Sequence, residues 1–220
     1  MKFTAFFLTA ISFIVIAFFV VSYAAGYKID LVNRKIKQTA MLDVQTKTKD
    51  SKIFLNGEAK GIGSAIIRDL EPGTYEVRVV KDGYHEWKKT ISLVSGQAET
   101  LNDISLFLLE PSVEEFKDEL NASLISKLAD TDNLYTNSGE IYENDSLVTR
   151  LSSDIFGLSW YPDRRYITFT TNNKLNIIEI DGTNMTELLD KKSDSPAVFV
   201  NSGVSVIYEN DGKIYRATIR

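Results

Sequence analysis

The sequence predicts a mainly β protein carried behind one N-terminal transmembrane helix. Three observations predict it. No charged residue lies between Lys2 and Lys28. From residue 42 onward, short runs rich in branched and aromatic residues recur, some alternating apolar with polar. Asn-Gly, Pro-Gly, Asp-Gly and Ser-Gly pairs punctuate those runs, and such pairs reverse the chain because they supply positive or pre-set φ.

Composition narrows the classes of function. A chain of 220 residues is long enough for one or two domains with real cores. The net charge of −5, with no basic stripe interleaved with aromatics, excludes a nucleic-acid footprint. Cysteine is absent, which removes disulfides, thiol chemistry, cysteine-rich zinc sites and a lipid-modified cysteine anchor. Charge is uneven: residues 1–50 carry seven Lys/Arg against three Asp/Glu, and residues 111–155 carry three against ten.

The run Phe3 to Tyr27 would rise roughly 37 Å as a helix, enough to cross a hydrocarbon core of about 30 Å. Its apolar length exceeds that of a secretory signal, which favours an uncleaved signal-anchor over residues 1–27. Ser22-Tyr23-Ala24 keeps cleavage open as an alternative, and a buried core helix is the third reading. Lys28, Arg34, Lys35 and Lys37 oppose an outward orientation on a positive-inside count. That count weakens when a long domain follows, so the C-terminal domains are placed outside the cytoplasmic membrane. Residues 28–40 read as a polar stalk.

Residues 41–109 read as six short antiparallel strands forming a small β-sandwich. The strands fall near Leu42–Thr46, Lys52–Leu55, Ser64–Leu70, Thr74–Lys81, Trp87–Val94 and Thr100–Leu108. Tyr75, Val77 and Val79 share one face, with Glu76 and Arg78 on the other, the pattern of a half-buried strand. The signature residues here are Asn56, Gly57, Pro72, Gly73, Tyr75, Gly83 and Tyr84. In the order Ile53-Phe54-Leu55-Asn56-Gly57, Gly61, Leu70-Glu71-Pro72-Gly73-Thr74-Tyr75, Asp82-Gly83-Tyr84, Gly96, this stretch resembles the PEGA domain, a surface module of bacteria and archaea. Two loops depart from that pattern. Asp50-Ser51-Lys52 stands where Pro-Glu-Gly-Ala is expected, and Gly61-Ile62-Gly63-Ser64 replaces Gly-x-Thr-Pro.

Residues 110–133 read as an acidic helical linker. Ser112 and Glu115 form a capping-box pattern, and Val113, Phe116, Leu120, Leu124 and Leu128 make one apolar stripe. Asp130-Thr131-Asp132 resembles the start of a calcium loop, but Leu134 and Tyr135 occupy positions a ligand and glycine would need.

Residues 134–220 contain one phrase twice, Ile141-Tyr142-Glu143-Asn144-Asp145 and Ile207-Tyr208-Glu209-Asn210-Asp211. Strands are read near 140–143, 147–151, 157–161, 166–170, 175–180, 187–189, 197–200, 205–208 and 214–219. Tyr166 and Ser205 open equivalent strands 39 residues apart, close to a propeller blade repeat of roughly 40–45. Trp160-Tyr161-Pro162-Asp163 and Asp181-Gly182 make the middle segment similar to blades of TolB-type and WD40-like propellers, with Arg164 in place of a turn glycine. One complete and two partial blades are too few to close a propeller, which takes about 4–8. A compact two- or three-sheet unit is expected, with the leading partial blade free to lend a strand to the last.

No reaction is legible. The single histidine, His85, reads as a surface turn residue: as a catalytic base it would need a nucleophile and an orienting carboxylate brought by the fold, and Tyr84-His85-Glu86-Trp87 is no known signature. Catalytic, cofactor-binding and metal residues are none, and no ligand contact is named. The expected role is that of a membrane-anchored, extracytoplasmic, non-catalytic binding or scaffold protein of a prokaryotic cell envelope. It would contact envelope polysaccharide or a protein partner, and no nucleic acid. A cell-wall hydrolase, or a subunit of an assembly or sensory complex, is the alternative.

Overall fold

The computed structural model describes residues 2–24, 26–30, 35–117 and 121–220. Two compact units emerge, Met1–Val79 with Thr90–Ile104, and Val80–Lys89 with Ser105–Arg220.

The first unit opens with α1 (Lys2–Ala24), 23 residues long. From Phe6 to Tyr23 it is apolar and unburied, so one helix is long and apolar enough to span a membrane. Strands β1 (Tyr27–Asp30) and β2 (Lys35–Gln38) follow as an antiparallel pair, Tyr27 opposite Gln38. The expected stalk is therefore a two-stranded ladder where it is described, while Leu31, Val32 and Arg34 lie outside the described residues. Thr39 closes the ladder by donating its amide to Gly26 O at 2.8 Å.

The remaining strands are β3 (Ala40–Thr46), β4 (Lys52–Leu55), β5 (Glu58–Ile62), β6 (Ser64–Leu70), β7 (Gly73–Val80), β8 (Trp87–Leu93) and β9 (Ala98–Ile104). They hydrogen-bond in the order β8-β7-β4-β5-β6-β3-β9 as one seven-stranded sheet. Two corrections follow. Strand β5 makes a seventh, and β9 ends at Ile104 and pairs parallel with β3, Met41 opposite Ala98. The sheet is thus not wholly antiparallel. Asn56 at φ +48 and Gly57 at φ +83 form the two-residue β4–β5 turn, both in the left-handed region such a turn demands. Alternation holds the buried face: Leu42, Val44, Ile53, Leu55, Val77, Val79, Ile91 and Leu93 are all buried. Of the atypical Asp50-Ser51-Lys52 loop, Ser51 is fully buried, donating to Thr48 O at 2.8 Å and sharing a 3.1 Å hydrogen bond with the Thr46 hydroxyl.

In the second unit, β10 (Ser112–Glu115) and α2 (Ala122–Leu128) replace the single helix expected from Ser112. The cap is Asn121, whose side-chain oxygen accepts from Leu124 N at 2.9 Å. Leu120 of the expected stripe lies outside the described residues. Next come β11 (Leu134–Asn137), β12 (Glu140–Glu143), β13 (Ser146–Arg150), β14 (Phe156–Trp160), β15 (Tyr166–Thr171), β16 (Lys174–Glu179) and β17 (Thr186–Asp190). The chain ends with β18 (Val198–Val200), β19 (Ser205–Asn210) and β20 (Lys213–Thr218).

They form three sheets, β11-β12-β13, β14-β15-β16-β17 and β10-β20-β19-β18. The strand that completes the last sheet is β10, from the linker, not one from the leading partial blade. Every residue of β15 is buried because its sheet is covered on both faces. On one side Ile167, Phe169 and Ile178 pack with Ile141 of β12. On the other, Tyr166, Leu175 and Ile177 pack with Val206, Tyr208 and Ala217 of the last sheet. Helix α2 covers the far face of that sheet, Ile125 packing on Ile207 and Ile214. No barrel or propeller closes among the described residues.

Candidate functional site

Three loops of the second unit converge on a cleft of about 390 Å³. It is lined by Ser152, Ser153, Asp154 and Phe156 before and in β14, by Thr170 to Asn173 at the β15–β16 turn, and by Lys192 and Asp194 after β17. The β15–β16 turn has Thr171 opposite Lys174, leaving a two-residue loop of Asn172 and Asn173 at φ +50 and +59. Asparagine tolerates that region better than other residues with side chains, so the turn forms without glycine and adds two amides to the cleft lining. Neither amide makes a hydrogen bond of its own among the described residues.

The third loop is fixed from below. Lys191 is fully buried, donating to the Thr170 hydroxyl at 3.1 Å and to the carbonyl oxygens of Ser193 and Ser195 at 2.5 and 2.6 Å. Burial pulls its ammonium down to about 8, opposed by Glu209 and Asp194. Lys192 pairs with Asp211 at 2.9 Å. Thr171 is only 5% exposed, and its hydroxyl oxygen is buried without a partner.

A second polar group centres on Glu179, itself 8% exposed. Its carboxylate accepts from Trp87 Nε1, and from Lys89 Nζ at 2.7 Å. Lys89 also pairs with Asp181 at 2.5 Å, and Lys88 N donates to Asn184 Oδ1 at 2.9 Å. Burial alone would lower the Lys89 ammonium, but hydrogen bonds to Asp181 and Glu179 outweigh it and raise it. Every member has a partner, which makes this a brace holding residues 87–89 to the Asp181-Gly182 turn. Beside it, His85 lines a cavity of about 10 Å³, room for about one water, and its Nε2 is buried without a partner. The histidine expected in a surface turn is half-buried, and burial lowers its imidazole against the opposing pull of Glu187.

The signature residues fall into separate places and build turns. Asn56 also accepts from Glu76 N at 2.8 Å, and the Tyr75 hydroxyl donates to Glu71 O beside Pro72-Gly73 at 2.8 Å. Gly83 O accepts from Leu109 N at 3.0 Å, and Tyr84 bridges Leu108. Trp160 Nε1 donates to Asp132 O at 2.8 Å, and Asp163 caps the turn after Pro162 by accepting from Arg165 N at 3.0 Å. Arg164 adopts φ +54 there, its guanidinium on Asp130 at 2.9 Å and over the Trp160 ring. Asp130 and Asp132 thus bind an arginine. Gly182, at φ +80, sits where a Cβ would collide with Val148 O. No group of three His, Cys, Asp or Glu able to hold a metal occurs among the described residues. The cleft residues were not singled out by the sequence, although the Asn-Asn pair between two strands was a legible turn.

Comparison with known families matches residues 39–104 to the PEGA domain. No curated protein matches the chain.

Proposed function

We propose that this protein is a membrane-anchored, extracytoplasmic binding protein of the cell envelope that holds envelope polysaccharide or a protein partner without altering it. In this reading α1 is the anchor. The seven-stranded sheet is a PEGA sandwich folded at the β5–β6 corner, and the three C-terminal sheets are a shortened set of propeller-type blades. The observation that carries the reading is the cleft at the β15–β16 turn, concave, of ligand-pocket size and rich in hydroxyl and amide groups. The test is retention of the full chain, in detergent micelles, on insoluble cell-wall polysaccharide. Retention with no soluble product released supports the proposal; passage through the matrix overturns the polysaccharide arm and leaves a protein partner to be sought by cross-linking in membranes.

One observation favours a second reading, a cell-wall hydrolase. Asp154 and Asp194 line the same cleft, and glycoside hydrolysis runs on a carboxylate pair. Product release that Asp154→Asn and Asp194→Asn each abolish would establish it and sink the non-catalytic proposal.

A further inference from the structure

Resting on the binding reading above, the cleft's chemistry narrows its ligand class. We propose that it binds a neutral or amine-bearing saccharide unit, stacked on Phe156 and hydrogen-bonded by Asn172, Asn173 and Thr171. Phe156 is 42% exposed although it lies at the end of a strand otherwise turned into the core. An aromatic ring left at a polar cleft offers a flat apolar face to the C–H face of a sugar ring. The amides of Asn172 and Asn173 each carry donors and an acceptor, which suits hydroxyl groups that do both. Thr171 lines the cleft, and its buried hydroxyl has no partner among the described residues, which leaves it a hydrogen bond to make.

Two carboxylates against one lysine in the lining disfavour acidic ligands. The lysines near the cleft are paired, Lys191 to three oxygens beneath the loop, Lys192 to Asp211 and Lys174 beside the turn to Asp190. The Asp154 and Asp194 carboxylates face a carboxylate or phosphate with like charge, and they attract an ammonium. A metal-bridged ligand lacks the three-ligand cluster it would need among the described residues.

Calorimetric titration of the full chain in detergent micelles tests this with three tetrasaccharide probes: a neutral hexose oligomer, a glucosamine oligomer and a galacturonic acid oligomer. The neutral or the amine-bearing probe should bind, and the uronic acid probe should not. Phe156→Ala should weaken binding about tenfold, the affinity equivalent of one stacked ring. Asn173→Gly keeps the turn and removes an amide, so it should weaken binding with Tm unchanged. Thr171→Val should weaken binding while Tm holds or rises, because it deletes an unpaired buried hydroxyl. Preference for the uronic acid probe overturns the ligand class. Retention on cell-wall polysaccharide that Phe156→Ala leaves intact overturns the cleft assignment and spares the binding proposal. Binding of no probe together with failure of retention overturns both.

Discussion

Lys191 is the residue whose burial has the clearest consequence for stability. In the native state burial brings its ammonium down to about 8, whereas an exposed lysine holds its proton to about 10.4. Between those values the unfolded chain binds more protons than the native one, so this group makes stability rise with pH from about 8 to about 10. The increment is on the order of 3 kcal/mol, reached only when both states are neutral. Tyr161 and Tyr208, pushed up to about 12 by burial, and Tyr166, also raised by burial, act with the opposite sign. Their contribution is complete below pH 10 and is lost above it, as the unfolded chain ionises first. The measurement is Tm against pH for the native sequence and for Lys191→Met. The native curve should gain on the variant from pH 8 to 10, with both falling beyond; parallel curves would refute the assignment. None of this was legible in the sequence, where nothing sets Lys191 apart from Lys192. Arg164 shows the converse. Its place in a turn usually held by glycine was legible, and the structure supplies what sequence could not: Asp130, Asp132 and Trp160 to hold the strained arginine.

At the scale of elements, regular strands with turn residues at both ends were legible with the same bounds, as at Lys52–Leu55, Ser64–Leu70 and Glu140–Glu143. Strand β5 was not, because Glu58-Ala59-Lys60-Gly61-Ile62 is mostly exposed and shows no two-residue apolar period. Strand β10 was misread for a different reason. Ser112-Val113-Glu114-Glu115 suits a helix start locally, but β20 offers an unpaired edge, and tertiary pairing overrides local propensity. All four β10 side chains are exposed, so backbone pairing rather than side-chain burial holds the strand. Phe116 N donates to Ile214 O at 2.9 Å, and the two-residue period then points the Glu114 amide at β20 and the Val113 amide outward. Glu114→Pro should therefore cost about 1–3 kcal/mol in urea unfolding, through a lost ladder bond and an unpaired carbonyl. Val113→Pro should cost much less. Equal effects would mean that β10 is not paired in this register.

For the whole molecule, the apolar helix and the PEGA-type order of turns were legible because each rests on local sequence. The allotment of Val80–Lys89 to the compact unit of residues 105–220 was not, since it depends on partners such as Glu179, some ninety positions away. Orientation across a membrane is set by competing forces that the fold does not record. Lys28, Arg34, Lys35 and Lys37 just after α1 oppose export, whereas long domains in general cross largely regardless of charge. If the domains outweigh the charges, a C-terminal alkaline phosphatase fusion after Arg220 will be active and a green fluorescent protein fusion dark. Deleting residues 2–24 should then silence the phosphatase and move the protein into the soluble fraction, because the same helix directs export and anchors the chain. A fluorescent, phosphatase-silent chain would place the cleft on the cytoplasmic side, away from any envelope polysaccharide, and the binding proposal would fall with the topology.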